Sequence, residues 1–465
     1  MTKREPHLAF LRPRDIMLLS KAVCVLLQLG IFAAFWESMQ TNIKIYARTS
    51  VLLLVIYTLV LIWFHSTYGS MRVGQTKVIN LCTSHLLSLA FSDTLLVMLC
   101  TLSVRQVPPI PIFILIFILQ LIVSIVWCLL ANKLYFRITP DKKAAIIHCR
   151  EQDLQSILEI CHSTNHFDVV CTVDVNTSSA AIDDILAQLD EAQVVFLGNV
   201  PGNLQERIIR YCVDHQMPLV MRPTFHNMML SAAQCRFISD TPALEIALHT
   251  PSVFHRFCKR SMDIVGSALL LLITAPILGI VALLVRLQDG GPALYRQKRL
   301  TQGGKVFEIL KFRSMRMDAE KDGVARLAAQ NDTRITRLGK FIRATRLDEL
   351  PQLWNILRGD MSLVGPRPER PEIAEQYSRE IPEFNTRLQV KAGLTGYAQV
   401  HGKYNATPQD KLHMDLMYIS SQTIALDIRL ILQTIQTMLK RESTEGVAAG
   451  QSTALADLKD KEKSA

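Results

Sequence analysis

Two adjacent carboxylates, Asp348 and Glu349, stand in the segment Arg343-Ala-Thr-Arg-Leu-Asp-Glu-Leu-Pro-Gln-Leu-Trp-Asn355. An acid pair beside fixed cations suits phosphoryl transfer. One carboxylate can attack phosphorus while the other holds a metal ion, and the cations offset the charge on the transferring group. Arg343 and Arg346 lie within about a turn and a half upstream. A guanidinium held there keeps a carboxylate ionised and can also grip a phosphate. Helix capping is the plain alternative for both acids. Pro351 suits the first turn of a helix, and acids just before it favour the positive helix end. The spacing of Leu347, Leu350, Trp354 and Leu357 predicts the buried face of that helix.

Further cations lie on either side of the pair. Lys311-Phe-Arg-Ser-Met315 follows the alternating stretch Val306-Phe-Glu-Ile-Leu310, which reads as a strand. Lys311 and Arg313 then share one face at period two, for which a solvated charged face is the default. In Gly365-Pro-Arg-Pro368 two prolines restrict the backbone around Arg367, a rigid placement that is useful for gripping a pyrophosphate. Lys391-Ala-Gly-Leu-Thr-Gly396 is a turn whose glycines either let backbone approach a ligand or simply reverse the chain. No P-loop, HExxH or GxSxG pattern is present. No cysteine follows Cys258, which excludes a cysteine nucleophile from the segment carrying the acids.

The elements that position these groups divide by composition. The chain has 465 residues, enough for two or three domains, and 49% of them are hydrophobic. Apolar residues concentrate in the first 131 positions and again near 262–287. The net charge of +10 fits basic flanks of membrane segments better than nucleic-acid binding. The ten cysteines form no CxxC pair, which argues against a zinc site or a disulfide framework.

Four stretches are long enough to cross a bilayer: Ile16–Trp36, Tyr46–Phe64, Leu81–Leu102 and Pro109–Leu130. Lys21, His85 and Asp93 fall within or near them, and snorkelling or helix–helix contact is the simplest reading of all three. Basic residues cluster at the N-terminus, in the second loop (Arg72, Lys77) and at the exit (Lys133, Arg137, Lys142, Lys143). Loops with Lys44, Arg48 and Arg105 are poorer, so both ends of the unit are expected in the cytoplasm. Residues 143–248 alternate short apolar strands with helical patterns, the signature of a parallel α/β sheet. Its first turn, His148-Cys-Arg-Glu151, lacks the glycines of a dinucleotide site. The run Ile264–Val285 contains Pro276 and has basic residues on both flanks, which favours a re-entrant helix bent at Pro276 over a fifth crossing. The tail from Arg441 is small, polar and aperiodic, and is expected to be disordered.

Taken together, Lys311-Phe-Arg-Ser-Met315, Asn331-Asp-Thr-Arg-Ile-Thr336, Arg346-Leu-Asp-Glu-Leu-Pro-Gln352, Gly359-Asp-Met-Ser-Leu-Val-Gly-Pro-Arg-Pro368, Gly393-Leu-Thr-Gly-Tyr-Ala-Gln399 and Asp415-Leu-Met-Tyr-Ile419 resemble, in order, the bacterial polyprenyl-phosphate hexose-1-phosphate transferases of the large monotopic type. The resemblance covers about 255–440. It implies a membrane protein with an N-terminal four-helix transmembrane bundle (1–135) and a Rossmann-like α/β domain (140–248). A re-entrant membrane helix (about 262–287) and a mainly α catalytic domain follow within 255–440, then a tail (441–465). The implied reaction moves sugar-1-phosphate from a UDP-sugar to undecaprenyl phosphate and releases UMP. By the same resemblance Asp348 is the nucleophile and Glu349 binds Mg2+. Lys311, Arg313, Arg343 and Arg367 bind substrate, and Pro276 breaks the re-entrant helix. The implied location is the bacterial inner membrane, catalytic domain in the cytoplasm, in contact with lipid. Downstream glycosyltransferases and a second copy of the chain are compatible partners; nucleic acid is not. Arg346, Ala392 and Thr301 depart from the commonest family pattern. An inactive membrane scaffold and a glycosyltransferase that releases UDP are the competing readings.

Overall fold

The computed structural model describes residues 12–40, 47–104, 107, 109–164, 167–175, 182–231, 233–246, 251–317, 334–402 and 406–439. The expected tail 441–465, residues 331–333 of the Asn331 motif, and Lys3, Arg4, Lys44 and Arg105 lie outside them. Packing divides the chain into two compact units, Met1–Arg222 and Pro223–Ala465.

The first unit opens with four helices: α1 (Pro13–Gln40), α2 (Ala47–Tyr68), α3 (Val78–Val104) and α4 (Ile110–Ile138). Each contains a stretch long and apolar enough to cross a membrane. Apolar surface cannot drive helices together in lipid, so buried polar side chains matter more here. Gln28 donates to Ser124 Oγ (2.8 Å) and meets His65 Nε2 (3.0 Å), joining α1 to α4 and α2. Tyr57 donates to Asp93 (2.8 Å), and Gln120 donates to Tyr57 (3.0 Å) and to the Gln28 carbonyl (2.9 Å). The His85 ring lies 4.9 Å from that of His65 and 5.4 Å from that of Trp127. Asp93 and His85 are thus interhelical, the second of the two readings their sequence allowed.

An α/β layer follows: β1 (Lys142–His148), α5 (Glu151–Thr164), β2 (Phe167–Asp174), α6 (Ile182–Ala187), β3 (Val194–Leu197), α7 (Gly202–Asp214) and β4 (Leu219–Met221). The strands form a parallel sheet in the order β2-β1-β3-β4. Period two sorts β1 between two cores: Ala144 and Ile146 pack with Ile157 and Phe196, while Ala145 and Ile147 pack with Leu197 and Ile208.

The second unit begins earlier than the composition change near 248. Met228, on α8 (Phe225–Ser231), is buried in the same core as Leu353, Leu412 and Leu416. A hairpin, β5 (Gln234–Ile238) and β6 (Thr241–Glu245), leads to α9 (Val253–Asp289), which continues through Pro276. Only 11% of its most apolar window is buried, so its flank faces outward along most of its length. Its first turns are bolted down by polar contacts. Asp263 accepts from Leu363 N and Ser362 Oγ (3.0 Å each), and Arg260 donates to the Ile356 and Leu357 carbonyls (2.7 and 2.8 Å).

Next come β7 (Leu294–Leu300) and β8 (Val306–Phe312), paired antiparallel, then α10 (Arg337–Ala344), α11 (Gln352–Arg358), β9 (Ser362–Val364) and α12 (Pro371–Glu380). The unit closes with β10 (Gly393–Thr395), which runs parallel to β9, and α13 (Tyr397–His401), α14 (Pro408–Ser420) and α15 (Ile424–Met438). The expectation of a mainly α module is therefore corrected: the unit is mixed α/β. The short strands β9 and β10 carry too little period-two signal to be read from sequence.

Candidate active site

Asp348 and Glu349 lie in a 3-10 turn, Leu347–Glu349, between α10 and α11. Arg346 enters that turn in the left-handed region (φ 58°), where a non-glycine residue costs on the order of 1 kcal/mol. The helix expected to start at Pro351 begins at Gln352, with Pro351 in the capping position and no side-chain cap. Neither carboxylate is spent on capping α11. The predicted buried face is also corrected. Leu353 and Ile356 are fully buried, while Trp354 is 57% exposed. Leu347 and Leu350 precede α11, so a helical period phased from them does not carry into it.

The two acids have different surroundings. Arg367 donates to Glu349 Oε1 at 2.9 Å, and Lys311 Nζ and Arg346 Nη1 approach the same oxygen at 3.5 and 3.9 Å. Burial opposes ionisation of Glu349, but Arg367, Lys311 and Arg346 outweigh it and hold this carboxyl well below the usual range. Asp348 Oδ1 is buried with no hydrogen-bond partner among the described residues. Burial pushes the Asp348 carboxyl up and the Glu349 charge adds to this, against Lys311, Arg343 and Arg346. Burial drives Lys311 down to about 8, with Glu349 opposing and Arg367 and Arg299 adding.

Among the expected site residues, Lys311, Arg367, Asp348 and Glu349 meet here, and Arg343 acts on Asp348 through its charge. Arg313 points elsewhere. It pairs with Asp289 and lies 3.4 Å from the Val285 carbonyl, at the C-terminal end of α9. Lys311 and Arg313 thus fasten one strand end to two places. Pro276 lies inside α9, away from these contacts in sequence.

Sequence reasoning missed the groups that hold the site in place. Buried Asn355 on α11 accepts from Leu310 N (3.0 Å) and donates to Glu308 O (2.8 Å), locking α11 to the strand that carries Lys311. A polar residue inside the apolar run Leu-Trp-Asn-Ile-Leu was the available signal. The glycines of the 391–396 turn serve backbone packing. A Cβ on Gly393 would stand 2.1 Å from Gly365 N, so β10 can lie against the Pro366–Pro368 segment only without side chains at the crossing. For Mg2+, no cluster of three or more His, Cys, Asp or Glu side chains occurs among the described residues. This ion is characteristically held by one or two carboxylates together with substrate phosphates and water, and Asp348 and Glu349 are the carboxylates of this site that would offer them.

The family described as "Bacterial sugar transferase" matches residues 254–441, which include all of these groups. A UDP-N-acetylgalactosamine-undecaprenyl-phosphate N-acetylgalactosaminephosphotransferase of Aeromonas hydrophila is 41% identical over 192 residues, 41% of this chain and 45% of that protein. An undecaprenyl-phosphate galactose phosphotransferase of Salmonella typhimurium is 31% identical over 311 residues, 59% of this chain and 63% of that protein. The match to the Aeromonas relative thus spans about half its length. A UDP-glucose:undecaprenyl-phosphate glucose-1-phosphate transferase of Caulobacter vibrioides is 42% identical over 190 residues, 40% of this chain and 71% of that protein. With the acid pair, its cations and most of that relative's length inside one matched stretch, this chain belongs to the bacterial sugar transferase family.

Proposed function

We propose that this protein transfers a sugar-1-phosphate from a UDP-sugar to undecaprenyl phosphate, with release of UMP. One observation carries the reading: of two neighbouring carboxylates, Glu349 is held by three cations, while Asp348 keeps a buried oxygen without a hydrogen-bond partner among the described residues. The acid with an unengaged oxygen is available to form a bond, and the engaged one is available to organise charge.

Two displacements at one phosphorus follow. A carboxylate oxygen of Asp348 attacks the sugar-bearing phosphorus of the donor. The new P–O bond forms as the bridging P–O bond to UMP breaks, and UMP carries away the electron pair. A phosphate oxygen of undecaprenyl phosphate then attacks the same phosphorus. The bond to Asp348 breaks, the carboxylate is regenerated, and the sugar leaves on a lipid diphosphate. Lys311 and Arg367 hold the phosphate oxygens, and Lys311, Arg343 and Arg346 oppose the burial and the Glu349 charge that disfavour ionised Asp348. Mg2+, held by Glu349 and the substrate phosphates, would supply further charge neutralisation.

The acceptor's apolar tail costs about 0.8 kcal/mol per CH₂ to draw out of a bilayer. An outward-facing apolar α9 supports a site held at the membrane surface, and basic flanks on both sides of it favour re-entry on one face, which requires α9, continuous through Pro276 in this structure, to bend there in the bilayer. This reading puts the chain in the bacterial inner membrane with the second unit in the cytoplasm, where sugar nucleotides are made, at the first membrane step of a surface polysaccharide. Membranes containing the chain, given undecaprenyl phosphate and labelled UDP-sugars, should release UMP. Asp348→Asn should release none and show no phosphosugar adduct by intact mass. UDP as the nucleotide product, or normal turnover by Asp348→Asn, would refute the reading.

A further inference from the structure

The proline-flanked segment that presents Arg367 is held by its carbonyls. Buried Arg387 (4% exposed) donates to the Arg367 carbonyl at 2.9 Å. Arg299 donates to the Pro368 carbonyl at 2.9 Å. On either side, the Gly393 N–H reaches the Pro366 carbonyl (2.9 Å) and the Leu300 N–H the Glu369 carbonyl (3.0 Å). Arg387 is itself fixed, 2.7 Å from buried Asp415 and 5.0 Å over the Phe384 ring. Arg299 is fixed by Gln297 Oε1 at 2.7 Å.

Two features make these arginines more than packing. Burying a guanidinium and a carboxylate together is a weak route to stability, since apolar residues of similar volume often do as well. Prolines 366 and 368 set φ at their own positions, but they leave the tilt of the peptide planes beside Arg367 open within a range. Fixing the carbonyls of Arg367 and Pro368 removes that freedom. The direction in which the Arg367 side chain leaves the backbone, and hence its 2.9 Å contact with Glu349, is then determined.

We infer that Arg387 and Arg299 are positioning residues for Arg367: they set the peptide planes of the Pro366–Pro368 segment so that its guanidinium meets Glu349 and the donor's phosphates. The inference rests on the reading of Arg367 given above. Lysine at either position keeps a charge but cannot donate to a carbonyl and hold its second partner with the same planar fork.

The full-length chain in detergent or nanodiscs, with Arg387→Lys, Arg299→Lys, Arg367→Lys and the two double variants, provides the test. A residue that acts through Arg367 should lose its effect once Arg367 is altered. Arg387→Lys should lower kcat/KM about tenfold or more in the native background and by less than about twofold beside Arg367→Lys. Equal fold-losses in both backgrounds, or no loss in the native one, would overturn the inference. Dicarbonyl modification of Arg367, followed by peptide mass, needs no turnover and should run about threefold or more faster in folded Arg387→Lys as the guanidinium leaves Glu349. An unchanged rate would count against positioning even if the proposed reaction itself proved wrong. Arg299→Lys should behave in the same way. Failure of both single variants to fold would assign the arginines to fold stability alone.

Discussion

Lys311 offers a test of the site's charge balance. Burial lowers its pKa to about 8, so under ordinary conditions the ammonium is only partly secure. The sign is that of a base: the charged form is present below about 8 and is lost as pH rises through it. If the charged form is needed to hold phosphate, kcat/KM should fall about tenfold per pH unit on the alkaline side, because at one unit above its pKa about nine-tenths of a lysine is neutral. The ratio kcat/KM is the proper quantity because it reports the free enzyme, before substrate phosphates raise the lysine again. Lys311→Arg replaces the titrating group with one that stays charged across this range. Its rate will drop at neutral pH from altered geometry, but the alkaline limb near 8 should vanish. UMP release measured from about pH 6 to about pH 10 at constant ionic strength reads both effects. A Lys311→Arg enzyme that keeps the wild-type alkaline limb would refute the assignment. The acid limb belongs to Asp348, whose ionised form is lost as pH falls through a pKa that burial and Glu349 raise.

Two further outcomes concern the frame. Asn355→Leu orphans the Leu310 N–H and the Glu308 carbonyl, each costing about 1–3 kcal/mol, and should lower the unfolding free energy of the second unit in denaturant titration; a loss below about 0.5 kcal/mol would contradict the bridge drawn from α11 to β8. Gly393→Ala places a methyl against Gly365 N and should cost about 1–3 kcal/mol, with a parallel fall in UMP release; wild-type thermal unfolding and turnover would show that the crossing has slack.

Some features are legible in the sequence itself. The long apolar helices are local properties of composition, and the parallel α/β layer follows from alternation of short apolar runs with helical patterns. Arg367 between two prolines was marked by sequence as a rigid cation. The buried face of the helix carrying Trp354 departs from the period of the preceding leucines because a left-handed residue and a 3-10 turn break it at the acids themselves. Strain of that kind is set by the surrounding fold and leaves little trace in side-chain periodicity.

Asp348 and Glu349 show the same division at its sharpest. The sequence determined that two acids are adjacent and that cations occur at 311, 343, 346 and 367. It could not say which cation meets which acid, since Lys311, Glu349 and Arg367 come from a strand, a turn and a loop that converge only on folding. The tertiary structure brought three cations onto Glu349, left Asp348 Oδ1 without a hydrogen-bond partner among the described residues, and turned Arg313 away to the end of α9. In the first unit, the sequence leaves Asp93 between snorkelling and helix–helix contact, and only the packed helices supply Tyr57 as its donor. Type and spacing along a chain are local facts. The partner of a buried charge is a property of contacts between distant segments, and those exist only once the backbone has closed around them.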